Sequence, residues 1–435
     1  MAIKIVKKAN QDKKRAVVTI LGIQGANYDD DGNSYAKNYE HQARYYFENE
    51  DKIKKYYNTL PLLIERFIPK GYEIVPIYTQ ESKIFNCDIL NKAGMECRFF
   101  DEKLLIEDDK DYNAIFKKID TILDEYDRVI VDLTHGFRHL PLLMLIDLII
   151  INFKDTNKIE HIYFAKEIRK HTSKEVGEYE IIDLKEYLDI ANISFILTNF
   201  SENYTVANHI KSEKYSKLID SLNDFSNDIM ALNLNNLYKK SSLKLIEELD
   251  KIEDISVKLQ AKELSKNIAQ ITAYKNQKRY KVYFDLANEL FEKNYLLLSM
   301  SLMYESIRLY VKTTIKQQHK GIVEKIEQAL SNDLYKIGDF FIKFKKDNYS
   351  YSKFEKDWKN LSISQLEFNK IKQAFPKEIL AKKRFRINNN QPKSLLDTLA
   401  HTRNDLAHAN AKKSFKDIKK DIKEILNTYK DIIGK

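Results

Sequence analysis

The sequence predicts an α/β domain with a mostly parallel sheet, followed by an all-α region. Three observations carry this expectation. Apolar, β-branched runs alternate with helix-like stretches through the first 185 or so residues, the pattern of strand–helix–strand units. From about 186 onward helical periodicity continues with almost no strand signal. Glycine (10) and proline (6) are scarce among 435 residues, which favours long helices over tight turns.

In chain order the strand-like runs are RAVVTILGI (15–23), YEIVPIYT (72–79), RVIVDL (128–133), EHIYFA (160–165) and EYEIIDL (178–184). Helices are expected over 51–68, around 109–125 and over 137–153. This is a Rossmann-like alternation, and ligands of such sheets bind at the carboxyl ends of strands. The stretch 200–280 carries Leu and Ile at three- and four-residue spacing among Asn, Lys, Ser and Glu. It reads as amphipathic helices of a connecting domain. The block 281–315 reads as one or two core helices of a bundle. A polar loop with proline (384–393) then leads to a helix holding Arg403-Asn404-Asp405-Leu406-Ala407-His408, and a lysine-rich amphipathic helix closes the chain. The expected domains are therefore 1–185, 186–280 and 281–435.

Composition narrows the class. Hydrophobic residues make up 43% and charged residues 31%, as in a soluble globular protein, and the net charge of +9 permits a polyanionic partner without requiring one. Cys87 and Cys97 fit no metal motif and make no disulfide framework. Together with an N-terminus that lacks a signal-peptide core, they point to a cytoplasmic setting. The most apolar run, LPLLMLIDLIIINF, is about 14 residues long, too short for a bilayer, and it contains Asp147. No metal and no membrane partner is expected.

Two motifs carry chemistry. The first, Asp132-Leu133-Thr134-His135-Gly136-Phe137-Arg138, sits where a strand ends and a helix begins. Backbone N–H groups and the helix dipole favour an anion there. Gly136 permits close backbone approach, Thr134 and His135 offer donors, and Arg138 adds fixed charge. The first strand ends in a matching loop, Gly22-Ile23-Gln24-Gly25-Ala26-Asn27-Tyr28, whose amides can read phosphate, ribose or a base edge. A plain turn at Gly136 and a structural role for Asp132 are the competing readings. The second motif is the Arg403–His408 hexapeptide. Histidine titrates near neutrality and can move protons, while arginine grips phosphate oxygens through a fixed fork. Those groups suffice to cleave RNA without metal, because RNA's own 2′-hydroxyl is the nucleophile. Arg403 and His408 are five residues apart, about 140° around a helix, so two helices across a two-fold axis would build the site better than one. Thr402, three residues before Asp405, would cap a helix start and place Asn404 and Arg403 near a helix N-terminus. His401 is expected to be structural, and Glu305 with Arg308 a helix-face ion pair.

DLTHGFRHLP (132–141) resembles the name-giving motif of the CRISPR-associated DxTHG family. In that family it lies in a CARF domain, and LGIQGANY resembles the other CARF ligand loop. The hexapeptide resembles the HEPN ribonuclease motif, with Asn404 at its polar position. The resemblance covers about 15–185 and 281–435. It implies a homodimer or higher even oligomer of type III CRISPR defence, with an N-terminal CARF sensor, a helical connector and a C-terminal HEPN bundle. The implied activator is a cyclic oligoadenylate, cyclic tetra-adenylate first and the six-membered ring second, and no cofactor is needed. Gly22, Gln24, Gly25, Asn27, Thr134, His135, Gly136 and Arg138 would line its pocket. Arg403, Asn404 and His408 would cut single-stranded RNA. A CARF domain that also degrades its ligand, and a ligand-responsive regulator that binds DNA or a protein partner without cutting, are the rival expectations. A nucleotide-binding Rossmann enzyme is weaker, since G-x-G-x-x-G is missing.

Overall fold

The computed structural model describes residues 14–434, apart from 24–26, 29–33, 36–41, 49, 51–53, 108–111, 136–138, 171–174, 273–277, 346–347, 389–390 and 409–411. The chain divides into two compact units. The first comprises Met1–Thr198, Ala207–Ile219 and Asp254–Val257, and the second Asn199–Val206, Asp220–Glu253 and Lys258–Lys435. The segment 186–280 is thus shared between them.

The first unit is built on a seven-stranded sheet. Its strands are β1 (Arg15–Ile20), β4 (Ala43–Phe47), β5 (Lys54–Tyr56), β6 (Glu73–Ile77), β7 (Arg128–Asp132), β8 (Ile159–Arg169) and β9 (Glu178–Asp183). A small ribbon of β2 (Asn27–Tyr28) and β3 (Ser34–Tyr35) stands apart. The sheet order is β5-β4-β9-β8-β7-β1-β6. β1 pairs in parallel with β6 and β7, β7 with β8, and β4 with β9, while β8–β9 and β4–β5 are antiparallel. Every residue from Ala16 to Ile20 is 0% exposed, so β1 is covered on both faces and needs a continuous apolar run.

Helices α1 (Thr59–Phe67), α2 (Gln80–Lys92), α3 (Tyr112–Asp124) and α4 (His139–Lys154) connect these strands. α3 buries Ile115, Ile119, Ile122 and Leu123, one helical stripe. The helix expected over 51–68 is half wrong. Lys54–Tyr56 is instead an edge strand whose lysines face solvent while Tyr56 is buried, a charged edge that resists further pairing. The helix begins only where the Asn58 side chain caps Leu60. α2 was not foreseen; a capping box between Thr79 and Ser82 starts it. The cysteines also need correction. Cys87 on α2 and Cys97 are joined as a disulfide with Cα atoms 5.2 Å apart, because a turn through Gly94, at φ 71°, brings the chain back. Asp147 lies on α4 and is 1% exposed. Among the described residues no helix is long and apolar enough to cross a membrane.

α5 (Glu186–Asn203) and α6 (Ser216–Met230) are followed by α7 (Leu234–Asn236), which runs through a π turn into α8 (Ser242–Asp250); α9 (Ile255–Thr272) comes next. The second unit's bundle is centred on α10 (Arg279–Glu292) and α11 (Leu296–Gln318), the two helices expected within 281–315. Asn294, at φ 66°, breaks them apart, a conformation that asparagine tolerates well. α12 (Lys320–Ala329), α13 (Leu334–Ile342), α14 (Tyr351–Asp357) and α15 (Gln365–Ala374) follow. The expected loop at 384–393 contains part of a second ribbon, β10 (Lys382–Arg384) with β11 (Pro392–Ser394). The chain ends with α16 (Leu395–Ala407) and α17 (Phe415–Ile432). α17 buries Ile422, Ile425, Leu426 and Tyr429 and leaves its lysines outside, as its amphipathic pattern predicts.

Candidate functional site

The two motifs lie in different units, and each has its own geometry. In the sheet, β1 and β7 are parallel neighbours with Thr19 opposite Asp132. From β1 the chain runs to β4 and β5 at one edge of the sheet, then to β6 at the other edge, and comes back to β7 beside β1. The carboxyl ends of β1 and β7 therefore lie side by side, at the end of the sheet where open α/β folds bind ligands. Both strand-end loops picked from the sequence start there.

Asp132 is the hub of this point. Its buried carboxylate accepts hydrogen bonds from Thr19 Oγ1 (2.8 Å), Thr59 Oγ1 (3.0 Å), Thr134 N (3.1 Å) and Thr134 Oγ1 (2.5 Å). The Thr134 hydroxyl in turn accepts from the Ala165 N–H at 2.9 Å. This one acid ties β1, α1, β7 and β8 together, and the Thr134 side chain is engaged in that scaffold. His135 differs. Its Nε2 is buried, with no hydrogen-bond partner among the described residues. Burial pushes the imidazole below its ordinary value, against the pull of the Asp132 carboxylate. On the β1 side, the Gly22 carbonyl accepts from Asn86 Nδ2 at 3.2 Å, and Asn58 Nδ2 donates to Asn86 Oδ1 at 2.8 Å. Asn27 and Tyr28 form β2. Gln24, Gly25, Gly136 and Arg138 lie outside the described residues. Sequence reasoning missed Thr19, Thr59, Asn58 and Asn86; nothing in their local sequence marks them.

In the second unit, α16 starts where Ser394 Oγ accepts from the Asp397 N–H. Thr402 is no cap. It is buried mid-helix, and its hydroxyl donates to the Thr398 carbonyl at 3.0 Å, the back-bond that such residues make inside helices. Arg403, Asn404 and His408 accordingly lie at the C-terminal end of the helix, where the dipole favours cations. The Arg403 guanidinium lies over the Tyr304 ring of α11, 4.9 Å from its centroid. The buried Arg308 approaches the same ring at 5.7 Å. Arg308 also pairs with Glu305 at 2.7 Å, the expected ion pair, and donates to the Tyr335 carbonyl at 2.6 Å. At Gly338 an added Cβ would come within 2.6 Å of Arg308 Nε, so the helix needs glycine there. His408 is the exposed C-cap residue and donates its N–H to the Asn404 carbonyl at 3.0 Å. His401 Nδ1 stands 2.8 Å from Asp405 Oδ2. The pairing of Arg403 with Tyr304 could not be seen in a sequence that separates them by about a hundred residues.

Among the described residues, no cluster of three or more His, Cys, Asp or Glu side chains is placed to hold a metal ion. No family model matches this chain, and no curated protein sequence matches it.

Proposed function

We propose that this chain is a cyclic oligoadenylate-activated, metal-independent endoribonuclease of the CARF–HEPN kind, acting on single-stranded RNA in type III CRISPR defence. The observation that supports it most is the end of α16. There Asn404 and His408 are exposed and Arg403 half-buried, on a helix whose Leu395, Leu396, Thr398, Leu399 and Thr402 are core. A surface turn that collects an arginine, an amide and an imidazole can handle a phosphodiester.

In this reading the RNA 2′-hydroxyl attacks the adjacent phosphorus and gives up its proton. The bond from phosphorus to the 5′-oxygen breaks, and that oxygen takes a proton. His408 is the base or the acid of the pair. Arg403 spreads the charge of the phosphorane-like transition state, and Asn404 orients the phosphate. The products are a 2′,3′-cyclic phosphate and a 5′-hydroxyl. Arg403 and His408 are about 140° apart on α16, so a second copy across a two-fold axis completes the cleft. An apolar stripe of Leu142 (63% exposed), Ile146 (52%) and Ile150 (41%) on α4 suits such pairing in the first unit. The activator, cyclic tetra-adenylate, would sit at the carboxyl ends of β1 and β7, beside His135.

The test is cleavage of labelled single-stranded RNA in EDTA, with and without cyclic tetra- or hexa-adenylate. Ligand-dependent cutting that disappears in His408→Ala is the expected result. Absence of cutting under every condition would instead favour a ligand-responsive regulator that binds DNA or a protein.

A further inference from the structure

The ribbon β10–β11 carries a charge pattern that the fold does not explain. Lys382, Lys383 and Arg384 are all exposed, and Arg386 follows. Phe385, 0% exposed, anchors the strand beneath them. Lys393 lies directly opposite Lys383 in the register. Like charges facing across a two-stranded ribbon are destabilising. Among the described residues none of these five cations forms an ion pair; the Lys383 ammonium donates to the Thr428 hydroxyl at 3.0 Å and lies 5.7 Å from the centroid of the Phe385 ring.

The next residue, Ile387, lines a pocket of about 380 Å³ that also includes His401, Leu406 and Ile418. Ile387, Leu406 and Ile418 give it an apolar wall, the exposed Lys412 also lines it, and Asp405 and the Lys413–Asp421 ion pair (2.8 Å) make up its polar side. His401 and His408 are seven residues apart, about 20° off the same azimuth and about 10 Å along the axis. The pocket thus opens on the helix face that carries His408. Asp405 holds His401 Nδ1, which in the neutral ring leaves Nε2 as an acceptor. An apolar wall with a few placed polar groups is how sites of this size take a ring.

We propose that β10 is the phosphate track of a single-stranded RNA and that the pocket beside α16 takes one nucleotide next to the cleaved bond. This rests on the ribonuclease reading and adds the path of the substrate. The strand runs over Lys382, Lys383, Arg384 and Arg386, places a base on Ile387, Leu406 and Ile418, and reaches His408.

The experiment is fluorescence anisotropy of the full-length protein with a fluorescein-labelled, 2′-O-methylated ten-residue oligonucleotide, which cannot be cut, over a series of salt concentrations. Wild type is compared with the triple variant Lys382→Glu/Lys383→Glu/Arg384→Glu. A second triple variant, Lys353→Glu/Lys356→Glu/Lys359→Glu, makes the same charge change on exposed sites at α14 and beyond it. The ribbon variant should bind at least tenfold more weakly and lower the slope of log affinity against log salt by about 2, since each single-strand phosphate contact contributes about 0.7. The α14 variant should keep the wild-type slope. His401→Ala should weaken binding three- to tenfold with the slope unchanged. Equal slopes and affinities for wild type and the ribbon variant would overturn the track, even if activated cutting is observed. A lost slope without any activated cutting would uphold the track and remove the ribonuclease reading. Failure of the wild type to bind would overturn both.

Discussion

The end of β7 and the end of α16 each gather charged and polar side chains, and they use them in opposite ways. At β7, Asp132 is 1% exposed and four donors converge on it. At α16, Asn404 and His408 face solvent, and Arg403 lies over an aromatic ring with a long 3.5 Å hydrogen bond to Asn404 Oδ1. Buried polar groups must be satisfied, and once satisfied they specify structure. Exposed ones leave their bonding capacity to a partner. Among the described residues of the first motif, then, the aspartate and threonine build the scaffold, and His135 has a buried nitrogen that none of them engages.

The contrast can be broken most sharply at His408. Its replacement by alanine should cost about a thousandfold in activated cleavage and less than about 0.5 kcal/mol in stability, read by RNA cleavage and urea unfolding on the same preparation. Asp132→Ala should do the reverse. It strands the hydroxyls of Thr19, Thr59 and Thr134, so unfolding should become easier by about 3 kcal/mol. A stability loss below about 1 kcal/mol there would deny Asp132 its structural role.

Asp147 sharpens the same point, because here the scaffold is incompletely satisfied. Its Oδ2 has no partner among the described residues, and burial, aided by Asp120, pushes its carboxyl up to about 6. The folded value lies above the unfolded one. The stability it contributes is therefore full below about pH 4 and lost as pH rises through about 6. Asp147→Asn should remove that loss and leave the protein about 3 kcal/mol more stable at pH 7. Thermal melts between pH 4 and 7 would show it, and parallel wild-type and variant curves would contradict it. The smallest effect is expected at Tyr304. Leucine there removes the face on which Arg403 lies and should cut activity about tenfold, whereas Tyr304→Phe should stay within about twofold.

What could be read from the sequence follows the reach of each interaction. The five apolar runs became strands; in β1, β6 and β7 burial of both faces imposes a continuous pattern on consecutive residues, while β8 and β9 are only partly buried. The edge strand β5 was misread, because Lys54, Lys55 and Tyr56 are too few to show an alternation that separates them from the helix that follows. Thr402 looked like a cap because its hydroxyl can bond either forward or back, and only the buried core under Leu395 and Leu399 decides for the interior. The disulfide and the Arg403–Tyr304 contact depend on how the chain returns on itself, which no local pattern encodes. Both motifs were found because their residues are contiguous. Their supports were not, because those are scattered along the chain.

The most direct test titrates cyclic tetra-adenylate against a fixed concentration of the protein and follows single-turnover RNA cleavage in EDTA. The account predicts saturable activation with one ring bound per two chains, abolished by Arg403→Ala or His408→Ala while ring binding persists. Cleavage independent of the ring, or cleavage that survives both substitutions, would contradict it.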